Sequence, residues 1–449
     1  MSNTQRSVLG KAPSGWTVAE LQDLGSWGGG KTPRKSNQEY WNGETPWVSP
    51  KDMGGSVVRR TEDHVSQVAL SEKNLTVYEA GAVMVVFRSG VLRHTFPVAT
   101  CNRPFTVNQD MKVLTPASGV DNRFAFHLID HLGPVVLQKA TKVGTTVESV
   151  DTDSFMSLSV GLPTLSEQRR IADVLDTVDA AIQDTESVVE KQEQVKTGLH
   201  QDLLTRGLDA DGRLRNPERE PEAFRETDLG DLPEDWEINT LETVASSPEE
   251  VIIGPFGSNL KASDYREQGV PVVFVRDVVR SQGFEWNSEI YLEPQKAEEL
   301  SSHSVRPGDV VATKMGDPPG EAVVYPDWMP EGIITADIIR IRPGESVLPE
   351  WLAAFINGWP VRSQVRGIMG GVTRAKVTVR DFRKIRVAVP PMSEQQRIVS
   401  RMSEGAHVID EEKSYCRKLN QLKMGLVQDL LTGQVRVPEA EARVDEVVA

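Results

Sequence analysis

Two stretches of the chain carry apolar residues at alternating steps of three and four. From Ile171, positions 171, 175, 178, 182, 185, 189, 192, 196, 199 and 203 read I, L, V, I, T, V, Q, K, L, L. From Ile398, the matching steps read I, M, G, I, E, C, L, K, L, L. A mean step of 3.5 residues marks a helix with a single apolar stripe, the kind that seats against another helix. Each stretch covers about 40 residues, or roughly 60 Å of helix. Two such rods in one chain predict an antiparallel coiled coil. Its seam is expected at Ile171, Leu175, Val178, Ile182, Val189, Leu199 and Leu203, facing Ile398, Met402, Ile409, Leu419, Leu426 and Leu430. Core helices of two separate domains are the alternative, and 40 residues is long for that role. A proline precedes each helix. Ser393 with Gln396 fits a capping box, Ser166 with Arg169 only its cap, and Gly207 and Gly433 stand where the helices should stop.

Elsewhere the pattern shifts to short β-branched runs, at residues 82–87, 270–275, 309–313 and 338–341, broken by Gly and Pro turns. Two α+β regions of roughly 150 residues are expected. The chain also repeats itself. Pro163-Thr-Leu-Ser-Glu-Gln-Arg-Arg-Ile171 aligns with Pro390-Pro-Met-Ser-Glu-Gln-Gln-Arg-Ile398 at an offset of 227, without a gap. The register runs on to Gly198-Leu-His-Gln-Asp-Leu-Leu-Thr205 and Gly425-Leu-Val-Gln-Asp-Leu-Leu-Thr432. Backward it takes Gly144, Thr146, Val150 and Phe155 onto Gly371, Thr373, Val377 and Phe382. Further upstream, Tyr40, Pro46, Val48 and Asp52 match Tyr265, Pro271, Val273 and Asp277 at an offset of 225, and Trp16 and Trp236 open the two halves. Segments that stay alike within one chain are expected to meet one partner twice, and segments that differ to read two different things.

Composition narrows the class. The 449 residues, 39% hydrophobic and 26% charged, suit a soluble chain of several domains. No stretch approaches the roughly 18 apolar residues of a membrane span. The opening MSNTQRSVLGKAPSGW lacks the apolar core of a secretory signal. Cys101 and Cys416 are too few for a disulfide scaffold or a cysteine zinc site, and suit a reducing cytoplasm. Net charge is −15. Of this, −10 lies in residues 209–250 and −3 in 437–449, leaving −2 on the rest, a body that can still carry basic patches.

Three motifs point to chemistry and are set aside. Gly25-Ser-Trp-Gly-Gly-Gly-Lys-Thr32 has the spacing of a phosphate-cradling loop. It follows residues 18–24, which read as a short amphipathic helix and not a buried strand, and Pro33 comes at once. A mobile glycine loop leading into Lys31, Arg34 and Lys35 suits DNA phosphate better. Gly316-Asp-Pro-Pro-Gly320 lacks the aromatic that stacks on a flipped base in amino-methyltransferases, so a turn between strands is expected. His127 and His131 have helical metal spacing but no evident third ligand. No Ser-His-Asp signature and no nuclease carboxylate set is found, so no catalytic residue and no metal ligand is assigned.

With these residues in view, the chain resembles the specificity subunit of type I restriction-modification systems. The resemblance rests on the doubled Pro-x-x-Ser-Glu-Gln-x-x-Ile and the doubled Gln-Asp-Leu-Leu-Thr. Beside them stand Gly29-Gly30-Lys31-Thr32-Pro33, Tyr40 with Pro46-Trp47-Val48, and Gly308-Asp309-Val310. It implies two mixed α/β target recognition domains, 1–165 and 233–392, each reading half of a split DNA sequence. Spacer helices at 166–208 and 393–433 pair as an antiparallel coiled coil with pseudo-twofold symmetry. An acidic linker, 209–232, and an acidic tail, 434–449, complete the chain. Helix length then sets the gap between half-sites, about one to two DNA turns of roughly 34 Å. The resemblance further implies double-stranded DNA and two methyltransferase subunits as partners, joined in some systems by restriction motor subunits. S-adenosylmethionine, ATP and Mg²⁺ belong to those partners, and this chain binds no cofactor of its own.

Base edges are read by Arg, Lys, Asn and Gln, while other basic groups hold phosphate. Candidates in the first domain are Lys31, Arg34, Lys35, Asn37, Arg88, Arg93, His94 and Lys142. In the second they are Ser258, Asn259, Lys261, Arg276, Lys314, Arg374 and Lys376. Any one of them taken alone reads equally as a solvated surface group. Two features depart from the family picture: the overall acidity, and Gly254-Pro-Phe-Gly-Ser258 in place of the first domain's Gly-Gly-Lys-Thr-Pro. A methyltransferase carrying its own reader, or an adaptor that only pairs helices, are the competing readings.

Overall fold

The computed structural model describes residues 6–142, 147–279, 283–316, 319–369 and 377–448. The chain forms two compact units: Met1–Val188 with Glu412–Ala449, and Val189–Glu411. Both are mixed α/β. Two helices of 41 residues, Leu165–Thr205 and Met392–Thr432, each contribute one half to each unit.

In the first unit a five-stranded sheet runs Gly25–Gly29, Met111–Pro116, Val83–Val86, Val98–Cys101, Val57–Val58. A three-stranded sheet pairs Thr45–Val48 in parallel with Thr106–Val107 and antiparallel with Asp63–Val65. The strand Val83–Val86 is buried at all four positions, as its unbroken V-M-V-V run demands of a central strand. In the second unit a four-stranded sheet runs Val251–Ile253, Ile338–Ile341, Val310–Thr313, Ala322–Val324. Val270–Val273 pairs in parallel with Gly332–Ile334.

The repeat holds at the level of register. Met111 faces Val86 and Ile338 faces Thr313, both displaced by 227. The Phe87 N–H donates to the Asp110 carbonyl at 2.8 Å, and the Lys314 N–H to Asp337 at 2.8 Å. Val150 donates to the Phe87 carbonyl at 2.8 Å, and Val377 to Lys314 at 3.4 Å.

The seam is buried where the 3-4 spacing places it. In the first unit Ile171, Leu175, Val178 and Ile182 share one core with Leu419, Leu426 and Leu430. In the second, Leu203 shares a core with Ile398 and Met402, and half-buried Leu199 packs against it. Ile409 is buried and Val189 half-buried. The start of each helix thus lies with the end of the other, which is antiparallel pairing, and Lys423 Nζ lies 2.5 Å from Asp179 Oδ1. The helices end two residues and one residue before a left-handed glycine, Gly207 at φ 64° and Gly433 at φ 71°.

The starts differ from the expected caps. The helices begin at Leu165 and Met392, so Ser166 and Ser393 already lie in the first turn. Thr164, two residues before Ser166 and directly before the helix, is the cap: its Oγ1 accepts from the Glu167 N–H at 3.3 Å. In the second copy the Glu394 N–H donates to the Pro391 carbonyl at 2.8 Å.

The motif's glutamine explains the repeat better than a cap does. Gln168 and Gln395 are fully buried. Gln168 Nε2 donates to Pro163 at 2.9 Å and Gly119 at 3.1 Å, and its Oε1 accepts from the Asp121 N–H at 2.8 Å. Gln395 makes the same three bonds, to Pro390 at 2.8 Å, Ser346 at 2.9 Å and from Leu348 at 2.8 Å. Each glutamine staples its helix to its own α/β region.

Other local readings change. Residues 18–24 are no amphipathic helix: Thr17–Glu20 is a strand paired with Ser159–Leu162, and Leu21–Leu24 a single 3₁₀ turn. At the end of the acidic stretch 209–232 a hairpin forms, Phe224–Thr227 with Gly230–Pro233, burying Leu229 and Leu232. Val437–Val448 is a helix whose Val437, Ala440 and Val444 enter the first unit's core.

Candidate nucleic-acid interface

The glycine-rich segment is a strand and not a phosphate-cradling loop. Gly25–Gly29 is an edge strand paired with Met111–Pro116. A Cβ at Gly30 would collide with the Val107 carbonyl, so the chain leaves the sheet only because this residue has no side chain. The following loop is pinned on two tryptophans. The Trp47 indole donates to the Lys31 carbonyl at 3.0 Å and the Trp41 indole to Arg34 at 3.3 Å, with the rings edge to face at 5.1 Å. Asn37 spends its side-chain oxygen on the Glu39 N–H, at 3.2 Å. Lys31, Arg34 and Lys35 are exposed on this base, with Lys35 Nζ 5.9 Å from the Trp41 ring centre and 4.0 Å from Asp63.

Lys35 overlooks a cleft of about 590 Å³ lined also by Trp47, Ser49, Pro50, Lys51, Ser89, Val91 and Asn108. The cleft joins the loop at 31–37 to the loop at 88–94, which carries exposed Arg88, Arg93 and His94. Ser89 in turn bonds the Glu148 carbonyl at 3.1 Å, bringing in the hairpin that bears Lys142. The eight first-domain candidates therefore stand on three adjoining segments. Ser49, Lys51, Ser89 and Asn108 were not singled out from sequence. They converge through the sheets from separate turns, and no local signal marks them.

Two candidates are already neutralised. Arg93 Nε lies 2.6 Å from Glu148 Oε1, and this holds the Glu148 carboxyl below the usual carboxylate range. Lys142 pairs with Asp151, whose carboxyl that ammonium, with Ser154, pushes down further still. A depressed carboxylate stabilises the fold above its unfolded pKa and loses that contribution as pH falls through the folded one. Lys142→Ala should therefore lower the melting temperature at neutral pH, with the deficit shrinking between about pH 4 and pH 2. A deficit unchanged across that acid titration would refute the pairing.

In the second unit a Cβ at Gly254 would meet the Ile334 carbonyl, the position equivalent to Val107. The turn beyond it exposes Ser258, Asn259 and Lys261. Lys314 reaches this turn, its Nζ 5.8 Å from the Phe256 ring centre and 3.4 Å from the Ala336 carbonyl. Arg276 stands on another turn, its guanidinium 4.7 Å from the Phe274 ring centre. Arg374 and Lys376 lie outside the described residues; Val377, just beyond them, bonds the Lys314 carbonyl.

Among the other motifs, Thr313 and Gly320 close a hairpin turn, Gly320 donating to Thr313 at 2.7 Å, with Asp317 and Pro318 outside the described residues. His127 is buried in the helix Asn122–His131 with its Nε2 2.7 Å from Asp176 Oδ1, a pairing with a half-exposed carboxylate at the edge of the core. Burial lowers the His131 pKa. Among the described residues no group of three His, Cys, Asp or Glu could hold a metal, and no helix is long and apolar enough to cross a membrane.

Residues 13–196 match the family model for the type I restriction modification DNA specificity domain. The specificity subunit of the Escherichia coli enzyme EcoR124I/EcoR124II is 36% identical over 160 residues, 35% of this chain and 40% of that one. The MjaIX specificity subunit of Methanocaldococcus jannaschii is 21% identical over 440 residues, 96% of each chain. Two solved structures share the fold. The S subunit from M. genitalium has a TM-score of 0.54 at 14% identity, over 93% of this chain and 96% of that one. A chain from a structure of type I R-M complex assembly has a TM-score of 0.57 at 18% identity, over 95% and 100%. The repeated helix motif, the two sheet-bearing units and these likenesses agree: residues 13–196 match the type I restriction modification DNA specificity domain, and the chain along its length is similar to specificity subunits of type I restriction-modification systems.

Proposed function

We infer that this chain recognises a split DNA target, one half-site for each repeat, and serves as the platform on which methyltransferase subunits dock. The observation that carries this is a common scaffold with unlike loops. Strand register and the Gly30 and Gly254 positions are preserved. The loops themselves read Lys31-Thr32-Pro33-Arg34-Lys35 in one repeat and Pro255-Phe256-Gly257-Ser258-Asn259 in the other. A scaffold held constant while its exposed loops diverge suits two readers of different sequence. Catalysis, S-adenosylmethionine, and any ATP and Mg²⁺ belong to the partner subunits. The stapled helices, alike in both repeats, suit a partner met twice, and the site of action is the cytoplasm.

The test is long-read sequencing of host DNA with and without the gene. Loss of base methylation at one split motif with a fixed gap supports the reading. Unchanged methylation at every motif refutes it. For the assembled complex, Arg34→Ala or Lys35→Ala should weaken binding alike on all sequences and reduce the salt dependence by about one phosphate contact each. Lys142→Ala, already paired with Asp151, should change that slope least. Equal slopes for all three variants and the parent would remove this face from the interface.

A further inference from the structure

The loop after the edge strand is built on one frame in both repeats, yet its chemistry differs. Counting from Gly30 and Gly254, the first repeat places Thr32 where the second places Phe256. Phe256 is 64% exposed. A single exposed aromatic is ordinary on a protein surface, but three observations set this one apart. It opens a tight turn, the Asn259 N–H donating to its carbonyl at 2.8 Å, with buried Pro255 before it and Gly257 after. Lys314 Nζ lies 5.8 Å from the ring centre while also reaching the Ala336 carbonyl, so ring and cation are held side by side. Exposed Ser258 and Asn259, able to bond base edges, follow in the same turn.

These groups have separate uses on a duplex. The ammonium meets a phosphate, the amide meets a base edge, and the ring needs an apolar partner. On the major-groove edges of the four base pairs the apolar partner is the thymine 5-methyl group.

We propose that Phe256 is a specificity-determining residue of the second repeat, packing its ring on the methyl of a thymine in that repeat's half-site while Lys314 holds a neighbouring phosphate. This rests on the DNA-recognition reading above. The first repeat lacks the device: Thr32 spends its hydroxyl on Gln109, and the counterpart of Lys314 is buried Phe87.

The host gene is replaced by F256A and F256L versions, and methylation is read across the genome. F256A should lose about tenfold of its preference for thymine at one position of one half-site, with the other half unchanged and F256L intermediate. The assembled complex is then bound to duplexes carrying uracil at that thymine, which removes only the methyl. The parent should lose the same factor and F256A nothing. An F256A pattern identical to the parent's, or a loss shared by both half-sites with F256L no better, overturns the assignment and leaves DNA recognition standing. A parent gene that restores no motif overturns the DNA reading itself.

Discussion

Gln395→Leu is expected to destabilise the second unit by about 3–6 kcal/mol. The side chain is fully buried and makes three bonds to main-chain groups of Pro390, Ser346 and Leu348. Leucine fills a similar space but leaves two carbonyls and one N–H without partners, at roughly 1–2 kcal/mol each, the lower part of the usual cost. For a unit of this size that is about 10–20 °C in melting temperature. Gln168→Leu should act alike on the first unit, because it breaks the same three bonds. Gln396→Ala, one residue along and exposed, is the control and should stay within about 0.5 kcal/mol of the parent. If Gln395→Leu melts with the control, the stapling role is wrong.

Arg215→Ala should cost about 3–5 kcal/mol, the usual penalty for stranding a buried charge. Glu394 is 2% exposed, and its carboxylate takes Arg215 Nη1 at 2.6 Å, Nη2 at 3.1 Å and the Leu208 N–H at 2.8 Å. Removing the guanidinium leaves a carboxylate with one backbone donor and little water. Adding Glu394→Gln to Arg215→Ala should recover a large part of the loss, since a neutral amide tolerates burial better. The first repeat is a natural comparison. Its motif glutamate, Glu167, meets Arg436 at 3.0 Å with both side chains partly in solvent. Arg436→Ala should cost no more than about 1 kcal/mol. Denaturant melts of the three variants decide the matter, and equal losses for Arg215→Ala and Arg436→Ala would contradict the burial argument.

The two glutamates show how one motif serves two energetic roles. In each unit the motif holds the segment that leaves the other long helix: Arg215 lies just beyond Thr205, and Arg436 just beyond Thr432. Trp236 backs the first exit, since a Cβ at Gly207 would strike its ring, and Pro13 with Trp16 backs the second, where a Cβ at Gly433 would strike the proline and crowd the indole. Burial at the first exit makes its ion pair structural, and solvent at the second makes it incidental.

What the linear chain determined was the part written in local periodicity and in the repeat. The 3-4 spacing located both long helices, because a stripe that must face a partner needs apolar groups at fixed steps whatever lies around it. Gly207 and Gly433 marked their ends, since a left-handed residue is a backbone demand. The glutamine of the repeated motif was visible but its work was not: its partners Gly119 and Ser346 lie almost 50 residues upstream. Gly25–Gly29 misled for a related reason. Its strand is held by main-chain bonds to Met111–Pro116, and glycines leave no side-chain alternation to announce a sheet. The helix Val437–Val448 was hidden by its charge, although Val437, Ala440 and Val444 already had helical spacing. The candidate interface was half legible. Basic loops drew notice to Lys31, Arg34, Lys35 and Arg88. Only the tertiary structure set Ser49, Lys51 and Asn108 around the cleft, paired off Arg93 and Lys142, and laid Lys314 beside Phe256, because convergence of distant turns is a property of the packed sheets and not of any one segment.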